Sequence, residues 1–456
     1  MRRLLLLFLS LIILFTAYGE DKVDVELKLD FPLFDLPYQI EAGRTIGYGF
    51  FGSYASMSMN QSLAIATDLH SAIHFGMDKL YEIIPWNNEI KDPIMFIGNI
   101  IPVYIFETYL PFGAGWMGVE FRRSILSRFD VSSRTAYYAF GGYHIDDIEL
   151  EQFKAGNPIE FTRMNSSYLE GKILFADIMQ RNLFFYNLPE YVNITTVMTN
   201  LFVFGDLFAA STATYYPQIY KIIDNVIYKN DSVERTRGIA YIDSFNWVYD
   251  LFRPNEPYEV RGSHPSGNGI ARYITWEQLD DDERKYLVTQ GWLDYLNFAS
   301  PILFGFRSFP LGDSGLTGNF ALHHYLTSFG FDITANAYLK YDIFNMAFTL
   351  HNYINYQNYY FALEGELLDF PIRFADNFSL LLNPRVMIGM QPENQVFKTD
   401  NAEFFGLLGC RVDFAIGETA TYLPYFEISA KTDGWVAGNE YLESNVSFAA
   451  GLSMRF

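Results

Sequence analysis

The sequence predicts an α+β fold: an antiparallel β-barrel of about eight strands over residues 301–456, preceded by a large, mainly helical segment over 45–300. Three observations predict it. From Phe329 to Phe456 apolar and polar residues alternate with period two, a pattern that only a strand resolves onto opposite faces. In Ser62 to Ile84, by contrast, Leu69, Ile73, Gly76, Leu80 and Ile84 recur at three- and four-residue spacing, which is one face of a helix. Aromatic residues make up 18% of the 456 residues, with 43 Phe and 33 Tyr, while charged residues are only 19%, below the roughly 25% of an ordinary domain. So many aromatics and so few charges exclude intrinsic disorder. A net charge of -21 excludes a nucleic-acid binder driven by basic charge. A mean hydropathy of +0.03 is too low for a bundle of membrane helices.

Residues 1–19 read as a cleaved signal peptide. Arg2 and Arg3 precede the apolar run Leu4 to Phe15, and Ala17-Tyr18-Gly19 presents small residues where a signal peptidase cuts. Removing them takes away two arginines and no acids, so the exported chain carries -23. Its single cysteine, Cys410, excludes a disulfide scaffold, and an exported protein of this size without disulfides reads as bacterial. Residues 20–44 follow with Val23, Val25, Leu27 and Leu29 alternating against Asp24, Glu26, Lys28 and Asp30. They are expected to supply a strand beside the last one; Ile302 to Phe309 and Asn319 to Leu326 are rivals for that place.

In 45–300, Thr275-Trp276-Glu277-Gln278 matches a capping box, so a helix is expected to start there and run to Phe298. Ile94 to Trp116 and Val197 to Tyr216 approach membrane-spanning length, but Pro102, Glu107, Pro111 and Asp206 interrupt them. Both are read as helices buried in the protein or lying against the membrane surface, not as spans.

Seven alternating segments follow. Their polar faces carry Asp332, Asn336 and Lys340, then Glu364 and Glu366, then Arg385, then Arg411 and Asp413, then Glu427 and Lys431, and finally Arg455. Segments of about 9–11 residues suit tilted transmembrane strands, and aromatics near their ends suit interfacial girdles. A transmembrane barrel places the eleven polar residues just named in its lumen, where in eight strands they would pair and fill the bore, leaving no wide channel. The final segment presents Phe448, Leu452, Met454 and Phe456 on its apolar face.

With the leader, that last strand resembles the C-terminal assembly signal of Gram-negative outer-membrane β-barrel proteins. The resemblance covers residues 318–456 and the leader. It implies an outer-membrane location, contact with outer-membrane lipid and recognition of Phe448, Leu452, Met454 and Phe456 by the barrel assembly machinery. It implies no activity.

Five motifs invite chemistry. Gly47-Tyr48-Gly49-Phe50-Phe51-Gly52 matches a dinucleotide string but lacks the preceding buried strand, so no cofactor is expected. His70, His74 and Asp78 share a helical face at four-residue spacing and are read as pairing within a polar stripe; two imidazoles so spaced can chelate a metal, but three ligands are not identifiable and no metal is expected. Glu120 beside Arg123 lacks the flanking histidines of a metalloprotease helix. Arg261 to Gly269 holds two serines and His264 in a turn-rich loop. His323 and His324 are adjacent, so on a strand they point to opposite faces. The leading expectation is a non-enzymatic envelope protein with a structural, binding or narrow-pore role. The alternative is an enzyme acting on lipid or envelope substrates where the helical segment meets the barrel.

Overall fold

The alternating segments pair into one antiparallel sheet. In the computed structural model, residues 26–43, 56–137, 142–189, 191–211, 238–239, 243–262, 272, 274–417 and 421–456 are described; the leader, the 47–52 glycine string and Ser263 to Gly269 lie outside them. Strand β1 is Lys28–Leu36. A small three-stranded sheet holds β2 (Arg134–Tyr137), β3 (Gly142–His144) and β4 (Gly238–Ile239). The large sheet continues with β5 (Phe309–Pro310), β6 (Thr317–Thr327), β7 (Gly330–Tyr341), β8 (Phe344–Ile354), β9 (Tyr359–Leu368), β10 (Phe370–Ala375), β11 (Phe378–Pro392), β12 (Ala402–Ile416), β13 (Tyr422–Lys431) and β14 (Asn445–Arg455).

Its order is β1-β14-β13-β12-β11-β9-β8-β7-β6-β5, with β10 paired to β11, eleven strands in all. The segment after the leader does lie beside the last strand, Lys28 opposite Arg455 and Leu36 opposite Phe448. Eleven strands replace the expected eight or so. The rival segment at 319–326 is also a strand, β5 is too short for a periodic signal, and β10 continues β9 past a kink at Asp369 (φ 54). The sheet is an open path: among the described residues β1 does not pair with β5 or β6. Tight connections keep neighbours antiparallel. Between β6 and β7, Gly330 has φ +143, and a side chain there would meet the Ile354 carbonyl oxygen at 2.2 Å.

The helices are α1 (Met59–Ile83), α2 (Asn88–Thr108), α3 (Ala114–Arg128), α4 (Asp147–Gly156), α5 (Pro158–Phe185), α6 (Val192–Ala210), α7 (Asp243–Phe252) and α8 (Asp281–Leu293). Ser58 caps α1 by accepting from the Gln61 amide. The run Ile94 to Trp116 is two helices, not one: Phe112 (φ 72) breaks it, and α3 starts after Gly113. The capping box at Thr275 closes only a 3₁₀ turn, Trp276–Gln278. A second box, Asp280 with Glu283, starts α8, because Asp280 is followed by three acids that favour a helix N-terminus. A 3₁₀ turn, Asp294–Phe298, ends that stretch. Among the described residues no helix is long and apolar enough to cross a membrane by itself.

The core is helical and aromatic. Phe121, Phe161, Phe175, Trp247, Phe329, Tyr353 and Trp435 are among its buried members, and α5 lies against both the helices and β6. One face of the sheet is thereby covered. The other face is not: Phe348, Leu350, Phe361, Leu363, Val386, Ile388, Phe404, Leu408, Ile428, Val446 and Phe448 are exposed, Leu408 by 67%. The alternation therefore runs opposite to that of a sheet packed on a core in water, where the apolar face is the buried one.

Candidate functional site

A cavity of about 360 Å³ lies between the covered face of the sheet and helices α1 and α5. The strands deliver alternate residues to it. Seven of the eleven polar residues singled out in the sequence line it: Asp332, Asn336, Glu364, Glu366, Arg385, Arg411 and Glu427. Cross-strand register brings them together. Thr349 stands between Asn336 and Glu364, Glu366 opposite Arg385, and Arg411 opposite Glu427. Gly409, Ser429 and Ser447, small residues on the same face, leave the space open.

Most charges in the cavity already have partners. Arg385 grips Glu364 with two hydrogen bonds, 2.7 and 3.2 Å, the fork geometry that favours Arg over Lys. Arg411 bonds Asp413 and reaches Asp30 on β1 at 2.7 Å. Helix α5 supplies the rest: Arg181 binds Glu366 at 2.6 Å, and Asp177 accepts from Tyr338 at 2.6 Å and faces His323 at 3.1 Å. Of the four remaining predicted positions, Asp413 pairs with the cavity residue Arg411 and the other three bond outside the cavity. Arg455 pairs with Asp369 at 2.6 Å, Lys340 donates to the Phe185 carbonyl at 3.3 Å, and Lys431 donates to the Gly434 and Glu443 carbonyls at 2.8 and 2.9 Å.

The sequence reading missed the contribution of α1 and α5. Asp68 takes the backbone amide of Asp30 on both carboxylate oxygens, 2.9 and 2.8 Å. Charged residues recurring along α5 (Glu160, Arg163, Glu170, Lys172, Asp177, Arg181) were the available signal. His351 was also passed over. Its Nδ1 is 2.7 Å from Asp332, while its Nε2 has no hydrogen-bond partner among the described residues and stands 3.5 Å from Glu364. That is an oriented imidazole at the place where the enzymatic alternative puts a site. Among the described residues no hydroxyl or thiol is hydrogen-bonded to it as a nucleophile would be.

His70 and His74 are drawn into a hydrogen-bonded chain. His74 Nδ1 meets Asn99 Oδ1 at 2.7 Å and Nε2 meets Thr195 Oγ1 at 2.6 Å; His70 Nδ1 faces the same hydroxyl at 3.4 Å. Both nitrogens of His74 are thus engaged, and Asp78 does not join them as a third ligand. No group of three His, Cys, Asp or Glu among the described residues is placed to hold a metal.

The described residues of the other motifs make structural contacts. Glu120 accepts the Met57 amide at 2.9 Å and pairs with Arg123. Arg261 is buried against Asp250. His323 and His324 do point apart, His323 to Asp177 and His324 to Gln290 at 2.9 Å. No protein-family model, curated protein or solved structure matches this chain.

Proposed function

We propose that this chain is an outer-membrane protein: its strands stand in the bilayer as a barrel-like wall with the apolar face toward lipid, around a polar interior that the helices fill. Its role is structural or ligand-binding, without a wide channel. The observation that carries this reading is the inverted sheet. Across β8, β9, β11, β12, β13 and β14, the apolar residues are the exposed ones and the charged residues face the helices. Water leaves few such contiguous apolar surfaces on a protein, commonly no more than about 300–600 Å², whereas a hydrocarbon solvent requires them.

The paired charges and α5 support the absence of a wide channel. Arg181–Glu366 and Asp177 with Tyr338 tie the helix across the polar face. Recognition of Phe448, Leu452, Met454 and Phe456 by the assembly machinery belongs to the same proposal: β14 turns Val446 and Phe448 outward, and Phe456 just beyond it is exposed. The test is a detergent gel of membrane extracts, boiled and unboiled. A band that shifts on boiling and fractionates with membranes is expected; an unshifted band among soluble periplasmic proteins would overturn the reading.

A further inference from the structure

The sheet leaves a gap between β1 and β6, and a chain of hydrogen bonds through the helices crosses it. On the free edge of β1, the Asp30 amide donates to Asp68 and the Pro32 carbonyl accepts from Gln61 at 3.1 Å, both side chains belonging to α1. His74 on α1 meets Thr195 on α6 at 2.6 Å. Asn200 on α6 donates to the Asn297 carbonyl at 2.7 Å. Asn297 in turn accepts from the His324 amide of β6 at 2.9 Å, and the Leu322 amide donates to Ala299 at 3.2 Å. Unpaired strand edges are thus met by helix side chains and loop backbone in place of a neighbouring strand.

Helix α2 packs outside this bridge, on α1 and α6, and it is amphipathic in the inverted sense. Its inward stripe at four-residue spacing is Lys91, Met95, Asn99, Val103 and Glu107, all buried, and three of these five are polar. Glu107 pairs with Lys172 at 2.6 Å and Asn99 with His74 at 2.7 Å. Its outward stripe is Ile90, Ile94, Ile97, Ile101, Tyr104 and Ile105, between 37% and 59% exposed. An amphipathic helix on a protein in water buries the isoleucines and exposes the lysine and glutamate; this one does the reverse, as the sheet does. From Ile90 to Ile105 the stripe rises about 22 Å, close to the roughly 25 Å apolar band of outer-membrane barrels. Exposed Trp86 precedes it and exposed Tyr109 follows it, where an interfacial aromatic belt would lie. Gly98 lets α2 sit close to α1: a side chain there would meet Met77 at 2.7 Å.

We infer that α2 is a lipid-facing stave: its Ile90–Ile105 stripe contacts acyl chains and continues the apolar surface of the sheet across the gap, so that helices complete the wall that strands leave open. Helix α2 does this as part of a packed wall, not as an independent span, since its inner stripe is polar. The inference rests on the membrane reading above, and its test separates the two. In a Cys410→Ser background, single cysteines replace Ile97, Ile101, Leu408 or Ile388 and carry nitroxide labels. The full-length protein is reconstituted into phosphatidylcholine–phosphatidylglycerol vesicles, with the boiling shift on a gel confirming that each variant is folded. Relaxation by oxygen reports lipid contact, and relaxation by a water-soluble nickel chelate reports water.

Labels at Ile97 and Ile101 are expected to lose the nickel effect and keep the oxygen effect, as Leu408 and Ile388 do. Nickel access at Ile97 and Ile101 alone, with Leu408 and Ile388 protected, would overturn the stave and leave the membrane sheet standing. Nickel access at all four positions would overturn both.

Discussion

Lys172→Met is expected to destabilise the protein by about 3–5 kcal/mol, the cost of leaving a buried charge without its partner. The Lys172 ammonium and the Glu107 carboxylate stand 2.6 Å apart, with side chains 0% and 2% exposed. The contact is a close ion pair lying off the line of a hydrogen bond, and neither Glu107 oxygen has another partner among the described residues. The rings of Tyr168 and Phe202 flank the ammonium at 4.7 and 5.2 Å. Removing the cation therefore leaves the Glu107 carboxylate, buried between α2 and α5, without its partner. Replacing both, Lys172→Met with Glu107→Leu, should restore most of the loss, since an apolar pair of similar volume can match a buried ion pair. Denaturant midpoints of the three proteins check it. Equal destabilisation of the single and double variants would show that the pair is not the source.

Leu408→Arg is expected to cost about 2–4 kcal/mol and to lower the amount of protein assembled in membranes, because an arginine facing the middle of a bilayer carries that penalty. The same substitution discriminates between solvents. Leu408 is 67% exposed, and in water a charged residue at so open a position changes stability by no more than about 0.5 kcal/mol. Its strand neighbours Leu407 and Gly409 face the cavity, so the effect is specific to the outward face. The yield of heat-modifiable protein in the membrane fraction, against that of Leu408→Ala, is the measurement.

How much could be read from sequence follows from which faces are one-sided. Strands β7 to β9 and β11 to β14 each keep one face on the polar interior and one outward, so period two survives and places Glu364, Arg385, Arg411 and Glu427 on one side. Strand β6 is different: Ala321, His323, His324, Tyr325 and Leu326 are all buried, with α5 on one face and the 294–298 turn against the strand, and two-sided burial erases alternation. The cavity's other wall was illegible for a similar reason. Helix α5 is buried almost all round, leaving no apolar stripe to read, and its charges find partners as distant in sequence as Glu366 and Trp435. The closing of the gap could not be seen at all. It depends on contacts such as His74 with Thr195 and Asn200 with Asn297, which no local pattern encodes. The leader and the glycine string lie outside the described residues and remain sequence expectations.

In the proposed membrane setting, lipid solvates the exposed apolar face of the sheet. Extraction of native membranes with alkaline carbonate, followed by flotation of the pellet on a sucrose gradient, tests it most directly. The chain is expected to stay with the lipid and to band with outer-membrane markers. Release into the carbonate supernatant as a folded protein would contradict it.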